Sequence, residues 1–405
     1  MAARPRQHAV KSERILNVSA HVTLDELFPR LVALRRYFHQ NPELAFKEVE
    51  TARKIMAELD KLGIPYHYPG KGGGVVGRLK GTSPGRIIAL RAEMDALPCQ
   101  ERTGLPFASR VPDQMHACGH DAHMAMLLGA AALLKAEPPE GTVLFVFQPA
   151  EENGNGACAV LDSHAIDDAE AIFAGHVTHH YRLGEIMVSR GTITAHADRF
   201  RIRIRGKGGH GARPHEAVDA VVVTGLLITV IQTLVSRETN PVHPSVVTIG
   251  SIQAGTAHNV IAEDAVLEGT VRTTRRDARD QIVGGIHRVA KAMGDLHGAE
   301  IEVSFGESAP PVVNTDRETD TARRAATDVV GRQSVVEQEY PSMGAEDFSF
   351  YLEKIPGCYV RIGTRGPDQA YVPLHSPLFD VDESVLKVGA AFFERVAREA
   401  VRDDR

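Results

Sequence analysis

The chain has too few cysteines, four in 405 residues, to be held together by a disulfide framework. Cys99, Cys118, Cys158 and Cys358 are therefore read as thiols of a reducing compartment, which leaves Cys118 free to act as a thiolate. No block of Lys or Arg offsets the net charge of −6, so no electrostatic footprint for nucleic acid is expected. The one basic cluster, Arg199, Arg201, Arg203 and Arg205, alternates with Phe200, Ile202 and Ile204, the pattern of a half-exposed strand. No apolar core follows the N-terminal charges, and no apolar run approaches the roughly 20 residues that span a bilayer. Neither secretion nor a membrane is expected, and the cytoplasm is the expected location. Internal repeats and low-complexity segments are also lacking.

What is present is an ordinary globular composition, 43% hydrophobic and 24% charged, in a chain long enough for about two domains. Residues to about Val18 are polar and expected to be loose. Leu24, Leu27, Leu31 and Leu34 recur at helical spacing. A second helix after Asn41-Pro42 carries Ala52, Ile55, Leu59 and Leu62 on one face, with Gly63 as its C-cap. Arg86–Leu90, Val143–Phe147 and Ala171–Gly175 are continuous apolar runs, as expected of parallel strands covered on both faces. With a helix from about Ala122 to Lys135 among them, the alternation predicts an α/β sandwich on a mixed sheet.

From about Ser189 the texture changes. The order becomes strand (Arg199–Arg205), helix (Ala217–Ser236), two strands (Ser245–Gln253 and Ala265–Thr274), helix (Gln281–Gly294) and strand (Ile301–Phe305). That is the split, ferredoxin-like α+β unit. The α/β texture resumes with a helix near Asp320–Val330, a strand Cys358–Gly363 and a final helix bearing Val385, Val388, Phe392 and Val396. Residues 191–305 are thus expected to be inserted into a domain built from 1–190 and 306–405.

The chemistry gathers in a few short segments. His116-Ala-Cys-Gly-His-Asp-Ala-His123 sets Cys118 and His120 two residues apart before a helix, and both are ligands a borderline-soft metal prefers. The helix N-terminus would help hold Cys118 as thiolate. A buried cysteine beside a capping Asp is the plainer alternative. Gln148-Pro-Ala-Glu-Glu-Asn153 follows an apolar strand, where open α/β sheets bind ligands. Neighbouring side chains diverge there, so one carboxylate can coordinate while the other faces substrate; a solvated acidic turn is the alternative. His176 ends a further buried strand, and His375 lies in a Pro-flanked loop; either alone is ordinary. Asp95, just beyond the strand Arg86–Leu90, can orient a ligating imidazole.

With these residues in place, the chain resembles the co-catalytic metallopeptidases of the aminoacylase and carboxypeptidase-G type. It is most similar to the amidohydrolase branch of hippurate hydrolases, N-acyl-amino-acid amidohydrolases and auxin-conjugate hydrolases. The likeness runs from about Leu27 to Phe393. It rests on His-Ala-Cys-Gly-His-Asp (116–121), Gln-Pro-Ala-Glu-Glu (148–152), Gly-Lys-Gly-Gly-His-Gly-Ala-Arg-Pro-His (206–215), Ala-His-Asn-Val-Ile (257–261), Gly-Thr-Val-Arg-Thr (269–273) and Met-Gly-Ala-Glu-Asp-Phe (343–348). The resemblance implies two divalent ions per subunit, zinc foremost with manganese, cobalt or nickel as alternatives. Their ligands would be Cys118, His120, Glu152, His176 and His375, with Glu151 as general base. It also makes the inserted unit a lid and dimer contact. On that lid His210 would polarise the scissile carbonyl, in some relatives from the partner subunit, while Asn259 and Arg272 would bind carbonyl or carboxylate.

Two departures stand out. Glu93 replaces the branch's usual Asp, and His176-Val-Thr is followed by His179-His180 where relatives tend to have proline. The expected reaction is metal-dependent hydrolysis of an N-acyl amino acid to a carboxylic acid and a free amino acid. A dipeptidase or small-peptide exopeptidase using the same metals is the alternative. A catalytically dead scaffold would usually have lost a ligand or the base, and a closed structural or redox zinc site has no use for Glu151.

Overall fold

The computed structural model describes residues 22–402, so the polar N-terminal stretch lies outside the described residues. Helix α1 (Leu24–Gln40) opens on a capping box: Thr23 Oγ1 accepts from the Glu26 amide, and Glu26 accepts from the Thr23 amide. Helix α2 (Val49–Leu62) stops at Gly63, whose φ of 61° is the left-handed cap. There follow β1 (Tyr66–His67), β2 (Val75–Lys80), β3 (Ile87–Glu93), α3 (His120–Ala136), β4 (Thr142–Gln148), α4 (Gly156–Asp162), β5 (Ala171–Arg182) and β6 (Ile186–Met187). Next come β7 (Gly191–Thr192), β8 (His196–Arg205), β9 (Gly209–His210), α5 (Ala220–Thr233), β10 (Ser245–Ala254), β11 (Val260–Ile261), β12 (Asp264–Thr273), α6 (Arg276–His297) and β13 (Glu300–Ala309). The chain ends with β14 (Val313–Asn314), α7 (Asp316–Val330), β15 (Val335–Val336), α8 (Phe348–Leu352), β16 (Gly357–Arg365) and α9 (Val385–Arg402).

The large sheet is mixed and eight-stranded, in the order β1-β2-β4-β3-β5-β16-β6-β15. Its centre, β4-β3-β5-β16, is parallel. The apolar runs are continuous because successive residues serve opposite faces. Val143, Phe145 and Phe147 of β4 join the core beneath α1, α2, α3 and α9, while Leu144 and Val146 join the core shared with α4 and α8. The second face carries the site: Arg91, Glu93, Gln148, His176, Tyr359 and Arg361 all fall in its register.

The other sheet is four-stranded and antiparallel, in the order β10-β12-β8-β13, the ferredoxin-like arrangement expected from the element order. Phe200, Ile202 and Ile204 of β8 pack under α5 and α6, leaving Arg199 to Arg205 on an open face. The chain enters and leaves this unit side by side, where β7 pairs with β14 and the Ile193 amide donates to Val312 O at 2.8 Å.

Two sequence expectations need correction. His176 does not end its strand; β5 runs on to Arg182, because Val177 and Thr178 still pair with Ile362 and Gly363. Residues Ala220–Glu238 are long and apolar enough, by length and composition, to cross a bilayer, contrary to the expectation that no such run exists. In the fold Val223, Leu227 and Ile231 of this helix are buried on the four-stranded sheet, while Val221, Val222 and Leu226 are exposed.

Candidate active site

Gly119 shapes the first half of the site. Its φ is 82°, and a Cβ there would stand 2.4 Å from Val177 Cγ2, so a side chain fits neither the backbone nor the space. The turn delivers Cys118 and starts α3 at His120. His120 Nδ1 donates to Asp95 O at 2.8 Å, with Asp95 Oδ1 at 3.3 Å. That fixes the tautomer and leaves Nε2 sealed from solvent with no partner among the described residues. His176 is turned likewise: Nδ1 donates to Val177 O at 2.7 Å, and Nε2 faces Cys118 Sγ at 3.3 Å. Burial, reinforced by His123, holds His176 well below the ordinary imidazole range, so its lone pair stays available.

The turn after β4 supplies the carboxylates. Ala150 adopts φ 51°, and its amide donates to Glu48 Oε1 at 2.8 Å. The Glu152 amide donates to Asp95 Oδ2 at 2.9 Å, so one aspartate steadies both this turn and His120. Glu152 Oε1 lies 3.2 Å from His375 Nε2, and the His375 amide is tied to Ala117 O at 2.9 Å. Donor atoms of Cys118, His120 and Glu152 all lie within 4.8 Å of one another. Burial and the nearby Glu152 and Glu151 push the Cys118 thiol well above its ordinary value, opposing the expected pull of the helix N-terminus. A bare lone pair, a carboxylate oxygen and a destabilised thiolate in one buried spot are what a cation would satisfy, so the residues fit a metal.

Glu151 makes no such contact. It forms a separate group with Glu346 and Asp347, and burial plus these neighbours and Glu152 raise it well above the carboxylate range. Arg91 underlies that group, with Nε on Gln148 Oε1 at 2.8 Å and Nη2 on Glu346 at 2.9 Å and Asp347 at 2.8 Å. Its Nη1 pairs with Glu93. Glu93 in turn holds His123 Nδ1 at 2.8 Å, and His123 Nε2 accepts the Val177 amide at 2.9 Å. The longer arm of Glu93 thus makes a strut beneath His176, and both His123 nitrogens are used within the protein. None of Arg91, His123, Gln148, Glu346 or Glu48 was given a role from sequence. The available signal was a charged residue inside an apolar strand, as at Arg91.

A cleft of about 730 Å³ opens over these groups, lined by Cys118, Glu151, Glu152, His176 and His375 on one wall and by Arg199, Arg272 and Ser308 on the other. His210 and Asn259 do not line it. They sit exposed beside each other on the β9–β11 pair, with Gly211 donating to Asn259 O at 2.9 Å. Where relatives tend to have proline, His179 accepts from the Val372 amide at 3.1 Å and donates to Asp380 O at 2.9 Å. It thereby clamps the loop that carries His375.

The pattern of peptidase family M20/M25/M40 matches residues 89–399, and the chain belongs to that family. It is 41% identical over 371 residues to the N-acetylcysteine deacetylase of Bacillus subtilis (strain 168), covering 91% of this chain and 96% of the relative. To the IAA-amino acid hydrolase ILR1-like 4 of Arabidopsis thaliana it is 39% identical, covering 92% and 86%. Among solved structures, the Bacillus subtilis YXEP protein, a dinuclear metal binding peptidase from the M20 family, superposes with a TM-score of 0.82 at 37% identity, covering 94% of this chain and 100% of the other. The fold and the hydrolase class expected from sequence are those of these relatives.

Proposed function

We propose that this chain is a metal-dependent amidohydrolase that cleaves N-acyl amino acids, such as N-acetyl or N-benzoyl derivatives, to a carboxylic acid and a free amino acid. The observation that carries this reading is the division of labour around one buried spot. His120, His176, Glu152, His375 and Cys118 turn donor atoms toward it, while Glu151 stands beside it with no ion-pair partner at contact distance among the described residues. Two divalent ions are the proposed cofactors, zinc first and manganese, cobalt or nickel as alternatives. When bound, such ions acidify water and polarise a carbonyl.

Glu151 takes the proton of the attacking water and hands it to the leaving amine nitrogen. Asp95 is a positioning residue that fixes the turn of Glu152 and the ring of His120. Residues 191–305 act as the lid, closing Arg272 onto the substrate carboxylate, for which a planar guanidinium is suited. A homodimer is the proposed assembly: α5 exposes Val221, Val222 and Leu226, and the edge strand β10 exposes Val246 and Ile252. In a dimer His210 and Asn259 would serve the partner's cleft, to polarise the carbonyl there.

The test is a hydrolysis screen of N-acyl amino acids against dipeptides, on metal-stripped protein reloaded with each ion. Glu151→Gln should keep its metal and lose about 10²- to 10⁴-fold in kcat. Retained turnover removes Glu151 as base, and faster cleavage of dipeptides replaces this reading with an exopeptidase.

A further inference from the structure

The chemistry above leaves Arg361 unused, although it lines the same cleft. On β16 it pairs with His176 of β5, so the two side chains leave the same face of the sheet one strand apart, about 5 Å. Thr178, His180 and Tyr371 line the same cleft. Arg361 Nε is shut off from solvent and meets no acceptor among the described residues. No carboxylate among them stands at ion-pair distance from its guanidinium either. A guanidinium has five donors and no acceptor, so an oxygen-rich group entering the cleft is what this half-buried one is suited to bind.

The opposite wall repeats the imbalance. Along β8, Arg201, Arg203 and Arg205 each face a carboxylate, on Glu268, Asp264, and Glu300 with Glu302. Arg199, at the cleft end of the same row, has no carboxylate at ion-pair distance among the described residues, and neither does Arg272 beside it. Burial and Arg199 together lower Arg272 from its ordinary value. Among the described residues, the arginines further along β8 are thus ion-paired, whereas Arg199, Arg272 and Arg361, which line the cleft, are not. The single carboxylate of a simple N-acyl amino acid can answer only one of the two walls.

We propose that Arg361 binds a second anionic group of the substrate, so that the preferred substrates are N-acyl amino acids bearing two carboxylates. Arg272 and Arg199 hold one carboxylate from the lid, and Arg361 holds the other from the floor beside His176. This rests on the amidohydrolase reading above. The second carboxylate belongs either to an acidic amino-acid side chain or to a dicarboxylic acyl group, and near-isosteric pairs separate the two.

The experiment compares kcat/KM for N-acetylglutamate with N-acetylglutamine, and for N-succinylalanine with N-butanoylalanine, using metal-loaded wild type, Arg361→Gln and Arg361→Lys. In wild type one dianion should exceed its neutral partner by about 10-fold or more, the usual weight of a charged hydrogen bond. That ratio should fall toward one in Arg361→Gln, mainly through KM, and be partly kept in Arg361→Lys. The pair showing the preference locates the second carboxylate. A wild-type ratio at or below one in both pairs overturns the proposal, whether or not the variants fold. So does a ratio that Arg361→Gln leaves unchanged, because a mere counter-charge would slow dianion and neutral partner alike. If wild type cleaves none of the four compounds, the amidohydrolase reading fails, and glutarate binding by calorimetry then decides the anion site. Binding about 10-fold tighter to wild type than to Arg361→Gln supports it, and equal affinity overturns it.

Discussion

Replacing Arg91 by Met should nearly unfold this protein, although Arg91 itself does not line the cleft. The guanidinium is fully buried and holds Glu93, Glu346 and Asp347 as well as Gln148. Removing one partner of a buried ion pair costs about 3–5 kcal/mol, because the other charge stays behind unpaired. Here three carboxylates lose the same cation, so the upper end, about 5 kcal/mol, is expected. That is comparable with the lower end of the whole stability of a folded domain, about 5–15 kcal/mol. Urea unfolding with EDTA present throughout measures it without interference from metal loss.

The pH dependence fixes the cause. Burial would raise Glu93, but Arg91 and His123 hold it well below the carboxylate range. A depressed group of this kind stabilises the fold above its unfolded value of about 4.3, and that stability disappears as pH falls. The gap between wild type and Arg91→Met should therefore be wide at pH 8 and narrower near pH 4. A gap under about 1 kcal/mol, equal at both pH values, would refute the reasoning.

Glu58→Gln tests the same linkage far from the cleft. Burial would raise Glu58, yet Arg30 and Lys54 hold it at about 2, so its contribution is present above about 4.3 and lost toward pH 2. The variant should be less stable by about 1–2 kcal/mol at pH 7 in urea unfolding and indistinguishable from wild type near pH 2. His179→Ala should free the Val372 amide, which hydrogen exchange would read as faster labelling of residues 371–375, together with a rise in KM. Unchanged protection at Val372 would mean that the clamp does not hold that loop.

Much of the body was legible because burial on both faces writes itself into a strand as an unbroken apolar run, as at Val143–Phe147. The open face of β8 was equally readable from its alternation. Legibility failed where polar residues stay in the sheet: Thr178 and His179 looked like loop, yet they extend β5 past His176. It failed again at α5, where one apolar face is buried and the other exposed, a difference no composition records. At the site, Cys118, His120 and Glu151–Glu152 stood out through local chemistry. The struts did not, because Arg91 meets Glu346 and Asp347 across 255 and 256 positions of chain. Glu93 looked like a doubtful substitution until its two oxygens were seen to reach Arg91 and His123.

The paired crossing at Ile193 and Val312 has a consequence for how such a chain can change over time. Because the segment between them begins and ends in hydrogen-bonding contact, its length hardly alters what must be brought together when the body folds. Insertions, shortened versions or a wholesale exchange of that segment leave the two stubs in register, and the donor cluster below is built without it. A lineage can therefore trade one substrate-facing wall for another by recombination at a single doorway, keeping the hydrolytic half intact.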